Sequence, residues 1–474
     1  MVVFAPWAFG ATQSWAIWTM NGAGYLLGIV LVAKRGLRWR TGYRPPRWGE
    51  PVPAPGVAAS FRPHTRAARW LTRSLAALNA IVLVYTLVAA LNHRAEIRSG
   101  VQEFNEHYVQ WLPFSYDASS TWGTFWLYLA LTGCFWATRD WLLGKTPLES
   151  GYEDPTYTQF LVAQRAGLPE RLSRLLWLLC LNATVLGVVG ILQRLEGTEK
   201  LLWLVQPRYG NAGFHFGPFT YRGNAAQYFN LLWPVSLAFW WTLFRASQNL
   251  QRVPVRVGDH PHWLLLPCVL IQIACPIISA SHGGGVVALG LATGALGVLM
   301  VANWRASLAV RLGTLAPFVL AVSLAGYLGW NQYQAGLVNA FADDLGDRVE
   351  IYNNARLIAV DHPMFGTGPG TFADVYSLYR SRVAAAYAHN DWLETQITFG
   401  WIGLAVVLAM LVHPFVRWWI RDGIECRWDL IAMIWLALAG CLFHARFDFP
   451  FQIYALLHLF LMLCCIGCCV ARKA

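Results

Sequence analysis

Three clusters of polar residues have the types and spacing needed for chemistry on an anionic or hydroxylic substrate. The first is Gly217-Pro218-Phe219-Thr220-Tyr221-Arg222-Gly223-Asn224. Its glycines, proline and Asn mark a tight re-entry into an apolar segment and set Arg222 at the mouth of a helix. A guanidinium offers planar paired donors that match phosphate oxygens, and it stays charged beside lipid. An arginine placed there serves equally well as an anchor to lipid headgroups. The second cluster, Ser279-Ala280-Ser281-His282-Gly283-Gly284-Gly285, reads as a sharp turn whose small residues let two helices approach closely. It offers His282, either as a substrate contact or as a solvated turn histidine.

The third cluster lies in the long polar stretch 331–398. Asp347 is placed to N-cap a short helix on which Arg348, Tyr352 and Arg356 recur at i, i+4 and i+8 and share one face. That face binds an anion, or is simply solvated beside the neighbouring acids. Gly366-Thr367-Gly368-Pro369-Gly370 follows no strand, so it reads as a chain reversal and not as a nucleotide fingerprint. The stretch closes on Tyr387-Ala388-His389-Asn390-Asp391-Trp392-Leu393-Glu394. A histidine at the start of a helix can act as a general base, because its pKa lies near working pH; the alternative is a surface histidine. Asp343, Asp344 and Asp347 could hold a hard cation, but a solvated acidic face accounts for them more simply.

These clusters are positioned by elements that belong in a membrane. The 474 residues are 56% hydrophobic and only 13% charged, about half the share of a soluble domain. Stretches such as Leu75–Leu91, Leu312–Trp330 and Leu430–Phe443 carry no Asp, Glu, Lys or Arg. An apolar run of roughly 20 residues spans a bilayer as a helix, which satisfies its own backbone there. We therefore expect an all-α, polytopic integral membrane protein, 1–474 forming a single membrane domain. About eleven spanning helices are expected, with cores near 15–33, 71–91, 122–137, 175–192, 225–244, 263–280, 284–302, 312–330, 399–416, 428–445 and 451–470. No internal repeat is visible.

The formal charge of +11 comes from 36 basic and 25 acidic residues. The basic residues gather in short loops: Lys34–Arg73, Arg245–Arg256, Arg305–Arg311, Arg417–Arg427 and the tail Arg472–Lys473. All fall on one side, which the positive-inside rule makes cytoplasmic. Residues 34–70 and 139–174 are then cytoplasmic loops, and 92–121, 193–224 and 331–398 face outward, the last as a large loop with short helices. This topology puts the N-terminus outside. Apolar Val2-Val3-Phe4-Ala5-Pro6 follows Met1 without the charged region of a signal peptide, so either a twelfth helix precedes a truncated start, the preferred reading, or the first segment enters the membrane only halfway. Ten cysteines suggest no disulfide framework, since none lies in an outward loop. Cys464, Cys465, Cys468 and Cys469 read as small buried hydrophobes and not as a metal site.

Taken in order, the three clusters resemble the O-antigen ligase and polymerase superfamily of bacterial membrane glycosyltransferases. The resemblance is carried by the Gly-x-Phe…Arg-x-Asn re-entry and the turn at 281–284. It continues through the arginine helix, then Asp361-His362-Pro363-Met364-Phe365-Gly366-Thr367-Gly368-Pro369-Gly370-Thr371-Phe372. It ends with Ala388 to Glu394 before Gly400 and Gly403, and is close over roughly 210–405. It implies an enzyme of the bacterial inner membrane, working at the periplasmic face, that takes a glycan from undecaprenyl pyrophosphate. The acceptor would be lipid A core, another glycan or a protein hydroxyl, as in lipopolysaccharide or exopolysaccharide biosynthesis, and the wording of the motifs leans toward an exopolysaccharide polymerase.

By that resemblance Arg222 and Arg348 stabilise the leaving pyrophosphate, and His389 deprotonates or orients the acceptor hydroxyl, with inversion at the sugar. Arg356, Asn224, His282, Asn390, Asp391 and Tyr352 would bind substrate, and neither metal nor cofactor is called for. His282 stands where the family usually has arginine, so another cation or a different donor is implied. Two other classes compete. A lipid-linked glycan flippase or other transporter needs ionisable residues within the membrane, which are scarce here. A non-catalytic assembly protein would tolerate loss of Arg222, Arg348 and His389.

Overall fold

Apolar stretches in lipid fold as helices because their amides find partners only along their own axis or in a closed barrel. The computed structural model describes residues 1–48, 64–98, 101–147, 149–150, 168–207, 213–248, 262–304, 345–419 and 423–472, with isolated positions 319, 323 and 327. Seven long helices come first: α1 (Ser14–Thr41), α2 (His64–Leu91), α3 (Ala118–Leu143), α4 (Glu170–Glu196), α5 (Arg222–Gln248), α6 (His262–Ile278) and α7 (His282–Ala302). Two shorter ones, α8 (Leu345–Asp361) and α9 (Phe372–Tyr379), lie in the long polar stretch. The chain ends with α10 (Asp391–Trp418), α11 (Trp428–His444) and α12 (Tyr454–Cys469). Ten of the eleven expected spans are thus helical. Apart from positions 319, 323 and 327 the span expected at 312–330 lies outside the described residues, as do Asp343 and Asp344 and residues 49–63 and 151–167 of the loops 34–70 and 139–174.

Five helical stretches are long and apolar enough to cross a membrane: Ser14–Thr41, Arg66–Leu91, Glu170–Glu196, His282–Ala302 and Asp391–Arg417. Three shorter apolar helices accompany them, at His262–Ile278, Trp428–His444 and Tyr454–Cys469. The polarity is that of a multi-pass membrane protein, apolar outside and polar within. On α1, Leu26, Ile29 and Val32 are exposed, whereas Asn21 is buried and accepts a 2.9 Å hydrogen bond from Tyr454. The same helix carries Gly24-x-x-x-Gly28, which lets its backbone touch that of α3. A Cβ on Gly24 would lie 2.8 Å from the Ala130 carbonyl carbon, and one on Gly133 would strike the Gly24 carbonyl oxygen.

Helix α5 is the hub. It packs on α4, α6, α7 and α11 and buries Tyr228, Trp233, Phe239 and Trp241. Beside this unit, α2, α3, α12 and α10 form a ring in which each helix packs on the next. Two small two-stranded sheets add to the expected all-α architecture. One is the antiparallel pair β1 (Ala95–Arg98) and β2 (Val101–Phe104); the other pairs β3 (Ile424–Cys426) in parallel with β4 (Val470–Arg472). Charge is gathered at the end of the bundle where α1 finishes and α4 begins. There the buried Asp140 is bound by Lys34 and Arg38, each at 2.9 Å, and by Arg47.

The Gly366–Gly370 reversal has a specific task. Gly400 breaks α10 with φ +63°, which deprives the carbonyls just before it of their helical donors. The reversal supplies them: Thr367 N–H donates to Ile397 O (2.8 Å) and Gly368 N–H to Thr398 O (3.1 Å). Tyr85 of α2 donates to Phe399 O at 2.9 Å and to Phe365 O at 2.6 Å, closing the joint. A side chain on Gly400 meets both an unfavourable φ and the Met364 carbonyl. Gly400→Val is therefore expected to destabilise the fold by about 1–3 kcal/mol or more, from backbone strain plus overlap. A lowered unfolding temperature of the detergent-solubilised protein would be the readout.

Candidate active site

The ends of α4, α6 and α11 and the starts of α5, α7, α10 and α12 meet at the end of the bundle opposite Asp140. The turn 445–449, between α11 and α12, lies at their centre and presents Asp448. This carboxylate is buried, with 7% of its side chain exposed, between two histidines. His444 Nε2 lies 3.3 Å from Oδ2, and His389 Nδ1 lies 3.8 Å from Oδ1. The second distance exceeds a hydrogen bond and leaves an electrostatic contact. Burial on its own would raise the Asp448 pKa. The two imidazoles outweigh it and hold the carboxyl well below its usual range.

Each neighbour is fixed in turn. His444, itself buried, contacts the side-chain amide oxygen Oε1 of Gln227 on α5 through Nδ1 at 2.5 Å. The Cα of Gly223, in the first turn of α5, packs so closely that a Cβ would stand 2.6 Å from Asp448 Oδ2. A Cβ on Gly283, beside His282, would lie 2.9 Å from the Phe447 ring and 3.4 Å from His444 Nε2. The first and second sequence clusters therefore abut the same turn, because glycine at each lets the helix start come close.

His389 sits in a left-handed backbone conformation (φ +50°), uncommon for a residue with a side chain. It is held there from three sides. Tyr352 of α8 donates its hydroxyl to the His389 carbonyl at 2.8 Å. Ala388 N–H donates to Glu394 at 2.8 Å, and Asn390 caps α10 by accepting from Leu393 N–H at 3.2 Å. Upstream, Glu350 of α8 accepts from Ser381 Oγ (2.8 Å) and from the main-chain N–H groups of Arg382 (2.8 Å) and Val383 (3.0 Å). The ring of His389 meets Phe449 edge-on at 4.8 Å, and Phe449 is itself stacked between Tyr387 and Tyr221. About a quarter of the His389 side chain remains exposed.

Two of the predicted arginines flank this centre. Arg348 donates from Nη1 to the Phe447 carbonyl at 2.9 Å, one residue before Asp448. Arg222, beside Gly223, donates to the Gly213 carbonyl at 3.4 Å, while its main-chain N–H bonds Phe214 O at 2.8 Å. Asn224 is buried in the first turn of α5, and His282 opens α7 at the same rim. Asp391 is buried and accepts from Phe451 N–H (2.8 Å) and Gln452 Nε2 (3.0 Å), so its carboxylate secures the turn carrying Asp448. Arg356, one turn beyond Tyr352, is exposed.

Sequence reasoning passed over Asp448, His444, Gln227 and Arg194. Arg194, at the end of α4, donates to Ser279 O at 2.9 Å and His215 O at 3.2 Å, within electrostatic range of Arg222. It is a cation reaching the turn in which His282 stands. A signal for the first two was present: His444-Ala445-Arg446-Phe447-Asp448 places two ionisable groups at i and i+4 at the end of an otherwise apolar helix. Among the described residues, no group of three or more His, Cys, Asp or Glu side chains is arranged to hold a metal ion.

Comparison with known families agrees with the motifs. Residues 267–408 match the family model described as O-antigen ligase, so a domain of that family is present there. The match runs from α6 into α10 and carries His282, Arg348, Tyr352, Arg356, His389, Asn390 and Asp391, while Arg222, His444 and Asp448 lie outside it. No curated protein matches the chain. The matched domain and the long apolar helices fit a multi-pass membrane protein of a glycan-handling family.

Asp448 gives a pH test. A carboxyl whose pKa is lowered by folding stabilises the fold above its unfolded value near 3.9, and that contribution is lost as pH falls below it. Asp448→Asn should therefore lower thermal stability most at neutral pH, and the gap from the parent protein should shrink below about pH 4. Unfolding scans across pH 3 to 8 measure this.

Proposed function

We propose that this protein is an inverting glycosyltransferase of the ligase or polymerase type. It transfers or extends a glycan carried on undecaprenyl pyrophosphate at the periplasmic face of a bacterial inner membrane. One observation carries the reading: a partly exposed imidazole, His389, backed by a buried carboxylate, Asp448, and flanked by Arg222 and Arg348 at one rim of a helical membrane bundle. The basic residues at the opposite end support an outward-facing site under the positive-inside rule, with eleven crossings in all.

With Nδ1 turned to Asp448, His389 has Nε2 for the acceptor hydroxyl. The hydroxyl oxygen forms a bond to the anomeric carbon while its proton passes to Nε2. The bond from that carbon to the donor phosphate breaks, and its electron pair leaves on the lipid diphosphate. Asp448 stabilises the imidazolium that results, as a carboxylate does behind any histidine base. Guanidinium groups match the charge building on the diphosphate, so the leaving group needs no added metal for neutralisation. Tyr352, Asn390 and Asp391 act through the backbone around His389 and the 445–452 turn, and Asn224 and His282 line the rim; Arg356 would meet the glycan beyond it.

The reading is tested in lipid nanodiscs with a lipid-linked glycan donor and scored by product mass. His389→Ala, Arg222→Ala and Arg348→Ala should each reduce transfer by about a hundredfold or more. Arg356→Ala should cost less, and EDTA should leave the rate unchanged. Wild-type transfer rates in all three variants would overturn the assignment. So would labelling of cysteines introduced at exposed positions of α8 and α9 from the cytoplasmic side alone.

A further inference from the structure

Charge on this chain is strongly one-ended. Residues 34–73 and 139–174 carry fifteen Lys or Arg against six Asp or Glu, and so hold most of the formal charge of +11. Part of that excess is met within the protein. Asp140 takes Lys34, Arg38 and Arg47, and Glu170 pairs with Arg174. Two arginines at the same end have a different setting. Arg35, exposed near the end of α1, stands within electrostatic range of Arg38 and of Arg139 on α3. Arg139 donates to the Thr72 hydroxyl of α2 at 3.0 Å and lies 5.7 Å over the Trp136 ring. Among the described residues neither guanidinium is paired with a carboxylate.

Both arginines border a groove. On α3, Trp126, Ala130 and Gly133 meet α1, through the Tyr25 hydroxyl (2.9 Å to Trp126 O) and Gly24 and Gly28. Thr132, Trp136 and Arg139 meet α2, through Asn79 and Thr72. These are adjoining faces of one helix, so α1 and α2 flank α3 and, among the described residues, scarcely touch each other. Helical spacing sets Val32, Arg35 and Trp39 on one side of α1, and Val32 and Trp39 are 71% and 88% exposed. A Cβ on Gly36 would meet nothing within 4 Å, so the space beside Arg35 is open. The groove is apolar at Val32 and Trp136 and basic where the helices end.

Guanidiniums gathered at the edge of a low-dielectric bilayer repel one another unless an anion lies among them. A groove between two spanning helices is reached from the bilayer, where the anions at hand are lipid phosphates. The head group must also be acidic overall, since an ammonium on it would be repelled by the surplus of basic residues. We propose that Arg35 and Arg139 bind the phosphate of an acidic phospholipid, phosphatidylglycerol, in the leaflet at that end of the bundle. Its acyl chains lie between α1 and α2 against α3, with Trp39 at the water interface. The lipid ties α1 to α2, which the protein's own contacts leave apart. This site lies at the far end of the bundle from His389, and it stands or falls independently of the proposed reaction.

Native mass spectrometry of the full chain, delipidated in detergent, tests it with phosphatidylglycerol as the ligand and phosphatidylethanolamine as the zwitterionic control. Phosphatidylglycerol should bind about tenfold more tightly. Arg35→Gln and Arg139→Gln should each weaken its binding by about fivefold, the order of one basic contact with an anionic lipid surface. Arg35→Lys should stay within about twofold of wild type, because the charge is kept. Arg40→Gln removes an equal charge about 140° around α1 from Arg35, and should leave binding unchanged. Arg139 also holds Thr72, so the exposed Arg35 supplies the variant that leaves helix packing intact. Equal losses from Arg35→Gln and Arg40→Gln, or equal binding of the two lipids, would overturn the proposal in favour of diffuse attraction. Displacement of phosphatidylglycerol by inorganic phosphate at matched concentration would overturn it too, by assigning the arginines to a soluble anion.

Discussion

A buried carboxylate cannot stand alone in a bundle of apolar helices, since removing its hydration costs several kcal/mol unless opposite charge or strong donors replace the water. Asp448 meets that requirement with two imidazoles and its own neighbour, Phe449 N–H, which donates to Oδ1 at 3.0 Å. The pairing dictates much of the surrounding architecture. His444 must lie one turn before Asp448 on α11, Gln227 must reach it from α5, and the starts of α5 and α7 must carry glycine where they pass. The left-handed backbone of His389 is tolerated because Tyr352, Glu394 and Asn390 fix the residues on either side of it. Local strain of this kind persists where the surroundings over-determine it, and such places are commonly functional.

The scaffold divides its labour accordingly. The unit around α5 is densely filled with aromatic rings, and it holds Gln227, Gly223 and Arg222 in fixed register. The ring of α2, α3, α10 and α12 is looser and borders a partly open, mainly apolar cavity beneath the same turn. The break at Gly400 separates the first turns of α10, which carry Asp391 and Glu394, from the apolar length that follows. Its orphaned carbonyls are capped by the glycine reversal, so the loop that follows α8 is tied to the helix that follows His389. The arginine helix and the histidine are thereby coupled through main-chain hydrogen bonds as well as through Tyr352.

The sequence was legible where chemistry is local. Apolar runs locate ten helices, with ends that differ from the observed ones by up to eight residues, and polar residues at one set of helix ends mark Arg222, His282, Arg348 and His389 as neighbours. What remained hidden depends on long-range pairing. Asp448 follows His389 by a complete pair of helices, and no periodicity indicates that the turn between α11 and α12 folds under it. Asn390 and Asp391 read as polar groups for a substrate, yet the Asn390 oxygen caps α10 at Leu393 and the Asp391 carboxylate binds Phe451 and Gln452, contacts that for Asp391 exist only once the start of α10 lies beside the segment before α12. Two small sheets also escaped notice, since strands of three or four residues have too little pattern to separate from loop.

His282 occupies the position where related motifs carry arginine, and the rim bears on how that change is absorbed. Arg194 arrives from α4 and binds the Ser279 carbonyl within the same turn, in electrostatic range of Arg222. Arg194, Arg222 and Arg348 all donate to main-chain carbonyls, which orient a guanidinium without cancelling its charge. The negative charge of Asp448, by contrast, is taken up by histidines. The rim therefore keeps its positive potential while the carboxylate serves the imidazole. Guanidiniums held on carbonyl anchors suit the leaving diphosphate of the proposed reaction, and Arg194 brings a cation from α4 to the turn that carries His282.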